Sequence, residues 1–166
     1  IAIAQELKRR FASADILFVG ANGKMEMDKV PAAGFPIKGL DVIGFNRTNF
    51  IKNLTLPWKL IKAMTQAYSI VKSFRPDIAI GVGGYASGPT LYMANSLGIP
   101  TILQEQNSFA GKTNKFLAKK AKKICVAYDD MQKFFDKDKI VLTGNPVRQD
   151  LNHLIEKREE AIQYFN

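Results

Sequence analysis

The chain has 166 residues, 46% of them hydrophobic, which is enough to bury one sizeable core and excludes a disordered or fibrous polypeptide. A net charge of +9, from 24 Lys and Arg against 15 Asp and Glu, predicts an anionic partner: nucleic acid, a phosphorylated substrate or an acidic lipid surface. The single cysteine, Cys125, excludes an internal disulfide and points to a reducing compartment, and no apolar run approaches the roughly 20 residues of a membrane span. Nucleic acid then falls behind the other partners, because the chain carries no recognition-helix, zinc-finger or aromatic-plus-basic RNA-binding signature.

Strand-length apolar runs alternate with helical patterns, which predicts an α/β fold with a doubly wound parallel sheet. Ile1, Ile3, Ala4, Leu7 and Phe11 share one face of an opening helix that starts without a methionine, so a preceding segment is expected. A strand over residues 15–20, a short helix over 24–33 and a strand over 35–38 follow. Residues 39–56 read as irregular, and a helix from about Pro57 to Phe74 comes next. The strand through Ile78–Val82 empties into a glycine-rich turn and a helix from about Pro89 to Leu97. After it come a strand over 100–104, a basic helix ending near Lys120, the strand around Cys125, a helix over 129–135 and a strand over 139–142. The turn Gly144-Asn-Pro-Val-Arg148 leads into a last charged helix. Cys125 itself reads as a small core residue.

Ligands of an open parallel sheet bind outside the carboxyl ends of its strands. Four loops at those ends are rich in glycine or amides: 20–24, 81–88, 104–107 and 143–148. In the second, Gly81, Gly83, Gly84 and Gly88 let backbone N–H groups approach an anion at a helix N-terminus, the geometry that holds phosphate; a turn that is merely tight would read the same way. In the third, Glu105 is the candidate general base or cation partner, against the plainer role of a loop carboxylate capping the next helix, and Asn107 can both donate and accept toward a sugar or base. Arg148, aimed by Asn145-Pro146, has the planar fork suited to phosphate. Glu26 is explained by the dipole of its own helix, and His153, the only histidine, reads as a surface residue. No metal-ligand cluster, His-containing triad or Walker motif is present in the sequence. Ile51, Leu54, Leu56, Trp58 and Ile61 interleaved with Lys52, Lys59 and Lys62 have the composition of a surface that dips into lipid headgroups, or of an ordinary helix with one basic face.

Taken together, Gly20-Ala-Asn-Gly-Lys-Met-Glu26, Gly83-Gly-Tyr-Ala-Ser-Gly-Pro89, Glu105-Gln-Asn107, Ala110-Gly-Lys-Thr-Asn-Lys115 and Gly144-Asn-Pro-Val-Arg148 resemble, in order and spacing, the N-terminal half of the MurG-type N-acetylglucosaminyltransferases of bacterial peptidoglycan synthesis. The resemblance spans nearly the whole chain. It implies a Rossmann-like acceptor domain over residues 1–150, with 151–166 leading toward a C-terminal donor domain in a GT-B arrangement. It also implies transfer of N-acetylglucosamine from UDP-N-acetylglucosamine to the muramyl sugar of lipid I, peripherally, at the cytoplasmic face of the cell membrane, with no metal or other cofactor.

Position by position, Gly83, Gly84, Tyr85 and Ser87 would hold the acceptor pyrophosphate, and Asn107 and Arg148 would contact UDP-N-acetylglucosamine. Glu105 would act in acceptor activation. Ile51, Leu54, Trp58, Lys59, Ile61 and Lys62 would meet the anionic membrane. The family's first glycine loop, which carries a histidine often assigned as base, would precede Ile1, and Gln104 stands where many relatives have histidine. A non-catalytic lipid-diphosphate subunit of a split glycosyltransferase, or a different UDP-sugar enzyme of the same fold, remains open on these residues alone.

Overall fold

Short apolar runs closed by glycine or a polar residue set the strands, and small residues at helical spacing set how closely the helices approach them. The computed structural model describes residues 1–42, 56–147 and 162–164. Packing divides the chain into two units: Leu17–Gly144, and Ile1–Ile16 together with Asn145–Asn166. In the second of these, α1 (Ala2–Arg10) buries Ala4 and carries Lys8, Arg9 and Arg10 in its last turn, where cations complement the helix dipole. Phe11, placed on the apolar face by sequence, is exposed at the end of that helix.

The larger unit runs β1 (Phe18–Ala21), α2 (Glu26–Ala32), β2 (Ile37–Leu40), α3 (Leu56–Phe74), β3 (Ala79–Gly81), α4 (Ser87–Ser96), β4 (Thr101–Glu105), α5 (Lys112–Ala118), β5 (Lys123–Val126) and β6 (Ile140–Leu142). Every strand pairing is parallel, as expected of crossover connections. The strands form two ladders, β1-β2 and β3-β4-β5-β6, where the sequence predicts one sheet. No backbone pairing joins β1 to β3 among the described residues. Helix α4 spans the division: its Leu91 belongs to the core under β3–β6 with Leu103, Ile124, Val126 and Met131, while Ala86 and Met93, at its start and middle, pack with Leu40 and Ala67.

Other boundaries moved for local reasons. The second strand starts at Ile37, two residues later than predicted, since Pro36 has no N–H to give; its carbonyl instead accepts from Phe18 N at 2.9 Å and starts the β1-β2 ladder. The helix predicted over 129–135 is a single 3-10 turn, Met131–Lys133, preceded by Asp130 at φ +61°, a left-handed conformation that cannot propagate a helix. Helix α4 begins two residues before Pro89, so the proline sits inside its first turn, where a missing N–H costs nothing.

Candidate functional site

The carboxyl ends of β3 and β4 open into a cleft of about 420 Å³ walled by residues 82–85, 104–107, 111–114 and Phe109. One wall is the glycine turn. Gly83 and Gly84 have φ of +89° and +82°, so two successive residues adopt a backbone that side chains disfavour, and a Cβ on either would project into open space. The turn delivers the chain into α4, whose first turn offers Ser87 and Gly88 as N–H donors: Pro89 has none, and Thr90 N already donates to Ala86 O. Tyr85 lines the cleft and is exposed, and Lys24, from the loop after β1, lies 5.8 Å from its ring centroid. Ser87 begins α4 and is not part of the cleft wall.

The opposite wall is the loop after β4, and its organising group is Glu105. This side chain is 3% exposed. Its Oε1 accepts from Asn107 N and Asn107 Nδ2, both at 3.1 Å, and its Oε2 accepts from Gly111 N at 3.3 Å and Asn114 Nδ2 at 2.9 Å. The loop from 106 to 111 is thereby folded around a single carboxyl group, and Asn107 is held at the exposed lip. Gln106 Nε2 donates to Val82 O at 3.3 Å, tying this wall to the glycine turn. Buried Gln104 donates from Nε2 to Gly144 O at 3.2 Å, which links β4 to the turn that follows β6.

Of the residues singled out in the sequence, Gly83, Gly84, Tyr85, Glu105 and Asn107 therefore meet in one cleft. Arg148, His153, Ile51 and Leu54 lie outside the described residues. Glu26 does more than answer its helix dipole, since its Oε1 accepts from Ala21 N at 3.0 Å and closes the loop after β1. On α3, Trp58 and Ile61 are exposed at 76% and 55%, as is Leu60, which the sequence did not single out, while Lys59 is half-buried. Lys62 is paired with Asp41 at 2.9 Å. Cys125 is half-buried in β5, and burial pushes its thiol pKa up.

Asn114, inside a quoted motif, and Phe109, outside all of them, line the cleft with no role assigned from the sequence. Asn114 is 8% exposed inside α5, and Phe109 stands at the lip with the Lys115 ammonium 4.5 Å from its ring centroid. The signal for Asn114 was there to read: asparagine is a poor interior helix residue and, when buried, needs a partner. No group of three or more metal-ligating side chains occurs among the described residues, and no described helix is long and apolar enough to cross a membrane.

Residues 1–126 match the glycosyltransferase family 28 N-terminal domain. Among curated proteins, the chain is 63% identical over 166 residues to the "UDP-N-acetylglucosamine--N-acetylmuramyl-(pentapeptide) pyrophosphoryl-undecaprenol N-acetylglucosamine transferase" of Phocaeicola vulgatus, covering 99% of this chain and 44% of that protein. It is 59% identical to the protein of the same name from Parabacteroides distasonis, covering 99% of this chain and 45% of that one. Among solved structures it superposes on Acinetobacter baumannii MurG with a TM-score of 0.70 at 31% identity, over 89% of this chain and 41% of the other. The chain thus spans a little under half the length of the curated relatives it matches. A family match over residues 1–126, a span that includes the glycine turn and the Glu105 loop that build the cleft, means that this chain belongs to the glycosyltransferase family 28 N-terminal domains.

Proposed function

We propose that this chain is the acceptor-side half of a two-domain N-acetylglucosaminyltransferase that moves N-acetylglucosamine from UDP-N-acetylglucosamine to the muramyl sugar of lipid I, giving lipid II at the cytoplasmic face of the membrane. The observation that carries this reading is the cleft itself. Two positive-φ glycines and Tyr85 stand on one side, leading into the N-terminus of α4, and an amide-lined loop stands on the other, in a chain whose relatives bear the name of that enzyme. Oriented backbone donors favour an anion without a dedicated cation, and Lys24 adds positive charge beside Tyr85, so a lipid-linked diphosphate fits this wall. Asn107, facing it, is the group for the donor sugar, with Arg148 beyond the described residues as its companion on the nucleotide.

Inverting transfer needs a base for the acceptor hydroxyl and positive electrostatics for the departing UDP. The base in this reading comes from the family's first glycine loop. A strand leading to that loop would lie between β1 and β3, because a doubly wound sheet starts at its centre and winds outward in both directions. The donor domain would follow the last helix. Trp58, Leu60 and Ile61 supply an apolar surface for a membrane that holds the lipid substrate.

Assay of the full-length protein with UDP-N-acetylglucosamine and a lipid I analogue tests the reading. The expected result is N-acetylglucosaminyl transfer by the full-length protein and none by the 166-residue chain, which nonetheless binds an undecaprenyl diphosphate. Transfer by the 166 residues alone, or failure of the full-length protein to bind polyprenyl diphosphates, overturns it.

A further inference from the structure

Glu105 is the point at which the hydrogen bonds of the cleft converge, and its geometry is that of an anchor rather than of a proton acceptor. An ionised carboxyl group offers about four lone-pair sites, and four N–H donors from Asn107, Gly111 and Asn114 take them up. With 3% of its surface exposed, Glu105 has no free face for a substrate hydroxyl. The same bonds have a second effect. A carboxylate can only accept, so Asn107 must turn its amide nitrogen inward to Oε1, and the amide oxygen is left pointing away from Glu105 at the exposed lip. Asn114 is fixed in the same sense at Oε2 and pins the first turn of α5 behind the loop.

We propose that Glu105 is a positioning residue: it sets the amide of Asn107 so that the oxygen accepts a hydrogen bond from a donor group of the sugar, a ring hydroxyl or the acetamido N–H. This rests on the reading of the cleft as a sugar-nucleotide site. Specificity follows from polarity. A ligand that offers an N–H or O–H at that position is accepted, and one that offers only an acceptor faces the Asn107 oxygen and is rejected. An acceptor held in one orientation disfavours the mismatched ligand, whose own acceptor is left unpaired against it. In the Glu105→Gln variant, an amide replaces the carboxylate, one of its two ends becomes a donor, and the neighbouring asparagines lose the field that held them in a single orientation.

The test uses the full-length protein as wild type, Glu105→Gln, Asn107→Ala and the double variant, with kcat and donor KM measured across pH. Glu105→Gln is expected to raise the KM for UDP-N-acetylglucosamine about tenfold, the factor of one misplaced hydrogen bond, with the shape of the kcat pH profile unchanged. Added to Asn107→Ala, it should change KM by less than about twofold, since residues acting as one unit are not additive. Loss of the acidic limb of the profile with a kcat fall of about 100-fold or more would make Glu105 a base and overturn the proposal, as would effects that multiply in the double variant.

A readout independent of turnover separates this proposal from the functional reading beneath it. In protein labelled with [15N]asparagine, the side-chain NH2 signals of Asn107 and Asn114 should shift and lose protection from exchange in Glu105→Gln. Unmoved signals overturn the positioning role. Moved signals in a protein that does not turn over UDP-N-acetylglucosamine overturn the sugar assignment and leave the positioning intact. Should Glu105→Gln fail to fold, Glu105→Asp, which keeps the charge but shortens its reach, is read by the same two measurements with the same outcomes expected.

Discussion

Gly84 and Gly81 sit three residues apart and are glycines for different reasons. Gly84 has φ +82° with nothing near its ideal Cβ, so Gly84→Ala meets no atom and pays only for a left-handed backbone, about 1–2 kcal/mol. Chemical denaturation of that variant should show this loss with an unchanged m-value. Gly81 has no positive φ, but a Cβ there would come within 2.2 Å of Leu91 Cδ1, so its glycine serves the close packing of β3 on α4. The sequence announces that this turn needs small residues, because glycines cluster where an apolar strand ends. Which glycine answers backbone strain and which answers packing depends on Leu91, ten positions further along the chain.

Among the elements, α3 illustrates how one helix serves two surroundings. Ala63, Ala67 and Val71, at i, i+4 and i+8, form its buried stripe, and the small side chains allow α3 to lie close to α4. Its polar face reaches back to β2. Lys62 pairs with Asp41 at 2.9 Å, Gln66 both accepts from Asp41 N and donates to its carboxylate, and Asn22 Nδ2 donates to the other oxygen at 2.6 Å. These partners, Lys62 first and then Asn22 and Gln66, hold the Asp41 carboxyl at a pKa of about 2. Because the folded value lies below the unfolded one of roughly 3.9, Asp41 contributes stability above about pH 4 that is lost as pH falls toward 2. Asp41→Asn should therefore lower stability at neutral pH and flatten the stability profile between about pH 4 and 2. The profile keeps some slope, since Glu6, held at about 2 by Arg9 and Arg10, titrates over the same range. Thermal melts of both proteins at half-unit pH steps measure this. The apolar pattern of α3 was legible in its sequence; the ion pair was not, since Lys62 is separated from Asp41 by twenty residues that give no hint of the contact.

For the whole molecule, charge and apolar exposure point to the same kind of partner. The chain carries +9, and α3 displays Trp58, Leu60 and Ile61. A lipid surface with anionic headgroups satisfies both, through apolar transfer and through basic residues at the surface. Trp58→Ala is expected to weaken co-sedimentation with phosphatidylglycerol vesicles by about tenfold, in line with roughly 1.5 kcal/mol or more for burying a large side chain. Lys62→Ala should matter less for this binding than Lys59→Ala, since the Lys62 charge is already answered by Asp41. Equal binding of the Trp58 variant and the wild type would remove α3 from the membrane surface.

The sequence by itself determined the alternation of strands and helices, the parallel sense of the sheet and the loops that form its binding rim. Each of these is written in local signals: apolar runs of strand length, 3.6-residue periodicity, and glycine at the turns. Its linked motifs also fixed the family, because several short patterns in one order specify far more than any single loop. What only the tertiary structure decided is the work of each polar group. Glu105 reads in sequence either as a general base or as a loop carboxylate capping the next helix, and only the return of Gly111 and Asn114 to its Oε2 decides between them. The pairing of Lys62 was decided at the same level. Hydrogen bonds and packing between residues distant along the chain leave no periodic trace in it, so they become visible only once the chain is folded.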